Sequence, residues 1–253
     1  MKQGNFLQLT YLEKTDATWK SFIFNLPKGT MKFVLNSSID TLPTKVNLKQ
    51  WGKVSSDRCF CGKRQTLNHI LNCYKKSLDQ GRYTYRHDNI LQYISKCLDT
   101  QKFKCYIDIE GSQTPAKGTL PPSLLVTNLK PDIVVIDKSA KSVNILELTC
   151  PGEMRIDTAN KLKQAKYQHF LTDITTFKPS LIPFEVGSHT GQISRRNKES
   201  LKQLHTFCKK GIKLKQFIDN ISAICILSSY YIFNCRDQQN WEPLDPILAP
   251  FSN

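Results

Sequence analysis

The chain has 253 residues, with 36 Lys and Arg against 21 Asp and Glu, and carries a formal charge of +15. Its 40% hydrophobic content is enough to bury a core, which excludes a disordered chain, and the absence of any Pro/Gly-rich tract excludes collagen-like and linker classes. The basic excess points to a polyanion partner, with nucleic acid favoured over an anionic membrane surface.

In chain order, Leu26-Pro27-Lys28-Gly29 is a turn signal, and Met31 to Leu35 reads as a helix or a short strand. Residues 57–76 hold a Cys/His cluster. Apolar positions at helical spacing predict a helix over 88–99, capped by Asp88. Residues 111–128 are rich in Gly, Pro, Ser and Thr and read as a loop. Ile133 to Ile136 and Val143 to Leu148 are apolar runs around a polar turn, which predicts a hairpin. Asp157 to Leu171 reads as a helix capped by Asp157 or Thr158. Ile182 to Val186 reads as a strand ended by Gly187. Asn197 to Ile218 and Ile221 to Phe233 read as helices, with a break near Gly211. Pro243, Pro246 and Pro250 mark a tail.

Met1 to Thr10 lacks the apolar segment of a signal peptide. The apolar stretch Ile221 to Phe233 is shorter than the roughly 18–20 residues of a membrane span, so it reads as a buried helix. Nine irregularly spaced cysteines without a secretory signal favour metal binding or free thiols over a disulfide framework. The expected location is nuclear or cytoplasmic, not secreted, with no membrane partner. The charge is unevenly distributed: +4 over residues 1–50, +7 over 51–106, zero over 107–190 and +4 over 191–253. A neutral, acid-bearing stretch between basic flanks suits hydrolysis on a nucleic-acid binder. Its carboxylates would hold cations and the flanks phosphates.

Cys59, Cys61, His69 and Cys73 supply four sulfur or imidazole ligands within fifteen residues, the donor set of a structural tetrahedral Zn²⁺. His69 and Cys73 are four apart, on one face of a helix. Lys63, Arg64, Lys75 and Lys76 flank the cluster and suit a nucleic-acid grip. In the neutral stretch, Asp132 opens the first hairpin strand and Glu147 lies near the end of the second. Folding back at the turn brings the two together as ligands for a catalytic Mg²⁺. A lysine near them would stabilise developing charge. Thr149 occupies the expected position, and Lys163 and Lys166 stand on the following helix beside Tyr167, with no choice between them.

In this order the motifs resemble the C-terminal part of site-specific non-LTR retrotransposon proteins, in which a zinc knuckle precedes a restriction-like endonuclease of the PD-(D/E)xK class. Residues 33–52 resemble the linker before the knuckle, and Cys59 to Cys73 the knuckle itself. Arg82 to Asp88 resembles an arginine–histidine element. Lys130 to Asp137 with Glu147, Thr149, Pro151 and Glu153 resembles the nuclease core. Lys163 and Lys166-Tyr167 resemble the displaced lysine of this subclass, which accounts for Thr149. Phe184 to Gly187 and Arg196-Asn197 resemble the closing elements.

The resemblance implies an α+β fold with an α/β core: a small zinc knuckle followed by a mixed sheet flanked by helices. It divides the chain into a linker or trailing edge of a reverse transcriptase (1–52), a CCHC knuckle (53–80), a nuclease domain (81–240) and a tail (241–253). Asp132 and Glu147 become metal ligands, and Lys163 or Lys166 the catalytic lysine. Arg82, Arg86 and His87 become DNA contacts or supports of the site, with Glu153 and Tyr167 as helpers. The partner is DNA, and conceivably the element's own RNA, with oligomeric state left open. The family carries a polymerase with an aspartate pair before the knuckle. This sequence has no Asp-Asp pair, so the chain resembles a truncated, fragmentary or co-opted element without polymerase activity. Two functions follow: a Mg²⁺-dependent DNA endonuclease, or a zinc-stabilised nucleic-acid-binding module without turnover.

Overall fold

The computed structural model describes residues 22–109 and 129–245. The loop expected over 111–128, and Pro246 and Pro250 of the expected tail, lie outside the described residues. The elements are α1 (Lys28–Ser38), α2 (Lys45–Gln50), a π-helical turn (His69–Cys73), α3 (Lys75–Asp79), α4 (Arg82–Cys97), β1 (Lys104–Ile107), β2 (Ile133–Asp137), β3 (Ser142–Thr149), α5 (Ile156–Asp173), β4 (Lys178–Glu185), α6 (Arg195–His205) and α7 (Leu214–Asn234). The architecture is mixed α+β, with one four-stranded mixed sheet among the described residues, ordered β1-β2-β3-β4.

The expected hairpin is β2–β3, antiparallel with Ile133 opposite Leu146. β1 adds to β2 antiparallel. β4 returns parallel to β3 after the α5 crossover, as a parallel pairing requires. Strand alternation divides the side chains between two cores. Val134, Ile136, Val143 and Ile145 pack beneath α5 against Tyr167 and Phe170. Ile133, Val135, Leu146, Leu148, Ile182 and Phe184 pack on the opposite face with residues of α4, α6 and α7. A third cluster joins Phe33 and Val34 of α1, Leu67, Ile70 and Leu71 of the Cys/His segment, and Ile226, Ile232 and Phe233 of α7. Helix α7 therefore serves two cores: Phe217, Ile221, Ile224 and Cys225 face the sheet, while Ala223, Ile226 and Phe233 face the N-terminal segment. A helix apolar on both sides is a buried helix. No helix among the described residues is long and apolar enough to cross a membrane.

Several boundaries differ from the sequence reading, each for an identifiable reason. Met31 to Leu35 lies within helix α1. Helix α4 starts at Arg82, one turn and a half before Asp88, after Gly81 in the left-handed region (φ +68°). Its buried stripe opens with Arg82 and Arg86 and only then turns apolar, so a hydrophobic period cannot register its first turns. Helix α5 starts at Ile156 with no side-chain cap from Asp157 or Thr158, continuing a 3₁₀ turn over Glu153–Arg155. The break expected near Gly211 (φ +94°) is present: the stretch Asn197–Ile218 divides between α6, which ends at His205, and α7, which starts at Leu214. There Lys209 N donates to Cys97 O at 2.8 Å. Conversely, α7 runs unbroken through Asp219 and Asn220. Lys215 pairs with Asp219 Oδ2 at 2.5 Å and Asn220 Nδ2 donates to Tyr93 Oη at 3.1 Å, so each side chain has a partner within the helix packing, although Asp219 Oδ1 has none among the described residues.

Strand β4 begins four residues earlier than expected because Pro179 and Pro183 disguise it. Lys178 N and Val186 N both donate to the β3 side, at Lys141 O and Thr149 O. By alternation, Pro179 and Pro183 fall at positions whose backbone nitrogens face away from β3, where a missing N–H breaks no ladder bond.

Gly191 (φ +68°) fixes the segment after β4 on α7. A Cβ there would stand 2.7 Å from Ser222 O, a backbone atom. Gly191→Ala therefore combines a disfavoured conformation with a clash against a buried helix. The expected loss is about 1–3 kcal/mol of unfolding free energy in urea titration.

Candidate active site and metal centre

The residues singled out in the sequence gather at two places. At the first, the chain turns tightly between Cys59 and Lys63. Cys59 N donates to Lys63 O at 2.9 Å, Gly62 N to Cys59 O at 2.9 Å, and Gly62 takes φ +77°. The π-helical turn then returns His69 to this loop. His69 Nε2 lies 3.2 Å from Cys59 Sγ and 3.3 Å from Cys61 Sγ. Tetrahedral zinc–ligand bonds place neighbouring sulfur and nitrogen donors roughly 3.5 Å apart, so these separations fit one metal ion. Burial, assisted by Lys63, holds the His69 imidazole below its ordinary pKa and keeps it neutral, as a ligand must be. Cys59, Cys61 and His69 form a group that could hold a metal ion. Cys73, the expected fourth ligand, is exposed at the end of the π-turn and stands outside this group; Asn68 Nδ2 lies 3.9 Å from its sulfur.

At the second place, the hairpin sets the acids. The β2–β3 register, continued one residue past Ile133↔Leu146, puts Asp132 directly across from Glu147. Both share the alternation of Val134, Ile136, Val143 and Ile145, so both lie on the α5 face. Asp132 N donates to Glu147 Oε1 at 3.3 Å, and Leu148 N to Asp132 Oδ2 at 2.7 Å. Glu147 is buried, and α5 brings Lys163 Nζ to its Oε2 at 2.5 Å. Burial, then the Asp132 charge, raise the Glu147 carboxyl above its ordinary pKa, against the pull of Lys163. The hydroxyl of Thr149, at the position where the motif would carry lysine, is buried without a hydrogen-bond partner among the described residues. Lys163 reaches Glu147 from the helix in its place.

The structure separates the two lysines. Lys166 is exposed and rests over the Tyr167 ring at 4.8 Å, with Nζ 3.3 Å from the Tyr167 hydroxyl. Tyr167 is fully buried, with its hydroxyl toward Lys130 O at 3.4 Å. Burial raises its pKa, and Glu147, Asp132 and Asp108 add to the shift. That last residue was missed in the sequence. Asp108 N donates to Asp132 O at 2.9 Å, continuing the β1–β2 ladder, and Asp108 shares the alternation of Tyr106 on the α5 face. Asp108, Asp132 and Glu147 thus occupy neighbouring positions on one face of adjacent strands. The only signal was the four-residue strand β1, too short to register as a period.

His87 joins this group from α4. Its Nε2 lies 3.3 Å from Asp132 Oδ2 and its Nδ1 3.0 Å from Asp88 Oδ1. Burial disfavours charge on the ring, but the hydrogen bonds to Asp132 and Asp88 outweigh it and raise the pKa to about 10.

Arg82 and Arg86 require correction as DNA contacts, because both are buried and their N–H groups serve the protein itself. Arg82 donates to Cys235 O, Gln238 O and Gln80 Oε1. Arg86 donates to Leu71 O, Asn72 Oδ1, Cys150 O and Ser229 Oγ, each at 3.1–3.2 Å. Glu153 is also reassigned. It is buried away from the row of acids, where its Oε1 accepts from His189 N, Thr190 N and Thr190 Oγ1 and anchors the segment after β4. Among the closing elements, Asn160 Nδ2 donates to the buried Glu185, and Asn197 Nδ2 to Glu185 O. Lys63 and Arg64 are exposed on the Cys/His loop, Arg64 paired with Asp57 at 2.8 Å. Lys75 is exposed and paired with Asp79, and Lys76 is half-buried.

No protein-family model and no curated protein matches the chain.

Elemental analysis of purified protein is expected to give one tightly held metal ion per chain. His69→Ala and Cys59→Ser are each expected to lose it, and metal retained in both variants would place it elsewhere.

The His87 pKa is raised above its unfolded value near 6.5. Its contribution to stability is therefore fully present below pH 6.5 and fades as pH rises towards about 10. In chelator-treated protein, the stability difference between wild type and His87→Gln should shrink across that window, as followed by thermal melts.

Proposed function

We propose that the chain is a divalent-metal-dependent DNA endonuclease that nicks its target by phosphodiester hydrolysis, related to the restriction-like nucleases of non-LTR retrotransposons. The observation that carries this reading is the meeting of Asp132, Glu147 and Lys163 on one face of the sheet, with His87 behind Asp132. A mixed sheet flanked by helices, next to a Cys/His metal-binding group, agrees with what the resemblance implies.

The opposed carboxylates of Asp132 and Glu147 are hard oxygen donors that fit a Mg²⁺ ion. Bound there, the ion would polarise the scissile phosphate and activate a water molecule. The protein's own groups do the remaining work. Leu148 N and His87 fix the Asp132 carboxylate, and Asp132 N orients Glu147. Lys163, held by Glu147, offers an ammonium to the charge that grows on the phosphoryl oxygens as the water oxygen bonds to phosphorus and the ester oxygen departs. On the same reading, Cys59, Cys61 and His69 would hold a structural Zn²⁺, which would stiffen a segment with little core of its own; Cys73, the expected fourth ligand, stands outside that group. The basic flanks bind phosphates, and the expected location remains nuclear or cytoplasmic.

One observation favours the binding-module reading. Lys163 pairs with Glu147 and His87 with Asp132, so both acids have cationic partners within the protein itself. A plasmid-nicking assay separates the two functions. Wild type is expected to nick supercoiled DNA only with Mg²⁺. Asp132→Ala should abolish nicking while gel-shift binding persists, Lys163→Ala should slow it severely, and Lys166→Ala should leave it near wild type. Equal cleavage by wild type and Asp132→Ala would identify a contaminant and remove the assignment. Binding without any nicking by wild type would establish the binding module.

A further inference from the structure

At the tip of the Cys/His loop, Phe60 lies between two of the metal-binding residues with 87% of its surface in water, the most exposed large hydrophobic side chain among the described residues. The loop that presents it is stiff. The hydrogen bonds of Cys59 and Gly62 close the turn, and Arg58 Nη1 donates to Gly62 O at 2.6 Å. Its surroundings are cationic. Lys45 Nζ, from α2, stands 4.8 Å from the ring centroid, and Lys63 and Arg58 are exposed beside it. The adjacent acid, Asp57, is already paired with Arg64. Helix α2 is tied to the loop by Lys45 N to Gln65 Oε1 at 3.0 Å and Val46 N to Gln65 O at 3.5 Å, so aromatic ring and cation are held as a unit.

A rigidly held, largely exposed aromatic ring, with Lys45 over one side and Arg58 and Lys63 exposed on the same loop, matches the chemistry of single-stranded nucleic acid. An unpaired base supplies a π-face for the ring, and its flanking phosphates supply the anions. A duplex offers no such face, because its bases are already stacked and closed. We propose that Phe60 is a base-stacking platform for single-stranded DNA, with Lys45 and Lys63 on the adjacent phosphates. The choice of DNA rests on the nuclease reading. Asn72, in the π-turn, donates to Ser188 Oγ at 2.9 Å, and Arg86 ties Leu71 and Asn72 to Cys150, three residues after Glu147. The π-turn that carries His69 is thus joined to the end of the strand that carries Glu147, which holds the loop and the acids in one framework.

Fluorescence anisotropy with metal-loaded full-length protein and labelled oligonucleotides tests this. Phe60→Ala should weaken single-stranded DNA binding about tenfold, the expected loss of one stacked base. Metal content, duplex binding and the slope of affinity against salt should remain at wild-type values. Phe60→Trp should retain affinity and show additional indole quenching over wild type when the oligonucleotide is added. Lys63→Ala should instead lower the salt slope by about 0.7. Unchanged affinity in Phe60→Ala, or no added quenching in Phe60→Trp, would overturn the platform. A stronger Phe60-dependent preference for RNA of the same sequence would overturn the choice of DNA. Nicking by the same preparations keeps the readings apart. If wild type does not nick but Phe60→Ala still loses single-stranded DNA, the platform stands and the nuclease assignment falls.

Discussion

The guanidinium of Arg86 is the point on which the geometry turns. Taking such a group out of water costs several kcal/mol, which acceptors for its N–H groups must offset. Its two terminal nitrogens find them on the π-turn, just after β3 and on helix α7, while Nε has none among the described residues, so three distant parts of the chain must arrive together. Arg82, one turn earlier on α4, does the same for the end of α7. The two arginines make α4 a hub rather than a DNA-reading surface. The level of Glu147 on the sheet and the position of His69 beside its cysteines both descend from this arrangement. Loss of the Arg86 charge would leave several buried carbonyls without donors and loosen both sites at once.

The hairpin was legible because two short β-branched runs around a polar turn admit few other structures. It carried Asp132 and Glu147 with it, since a register one residue out would have sent them to opposite faces. The Cys/His group was legible from spacing, except that the π-turn leaves Cys73 outside it. What escaped was information that resides in tertiary contacts. Buried arginines look like surface groups in a sequence. Glu153 looks like a solvated acid until three donors from the segment after β4 are seen to converge on it. Asp108 belongs to a strand of four residues, and only the continued ladder places it beside Asp132. The choice between Lys163 and Lys166 needed the direction of α5 over the sheet, which helical spacing alone does not fix.

The charge distribution also acquires a more specific meaning. Part of the basic excess is spent inside the protein, in Arg82 and Arg86, and part is neutralised locally, as in Arg64 with Asp57 and Lys75 with Asp79. In the Cys/His loop, Arg58 and Lys63 remain exposed next to Phe60. Net charge alone therefore overstates the gripping surface, and its useful fraction is set by which side chains escape burial and pairing.

The two prolines of β4 restrict how anything can meet that flank of the sheet. A strand edge ordinarily offers a row of amides that any extended chain can copy, including another molecule of the same protein. With Pro179 and Pro183 at alternating outward positions, that row is interrupted twice within eight residues. A visitor to this side must be recognised by side chains, because main-chain zippering is closed to it. This edge of the sheet is thereby protected from growing by addition of further copies.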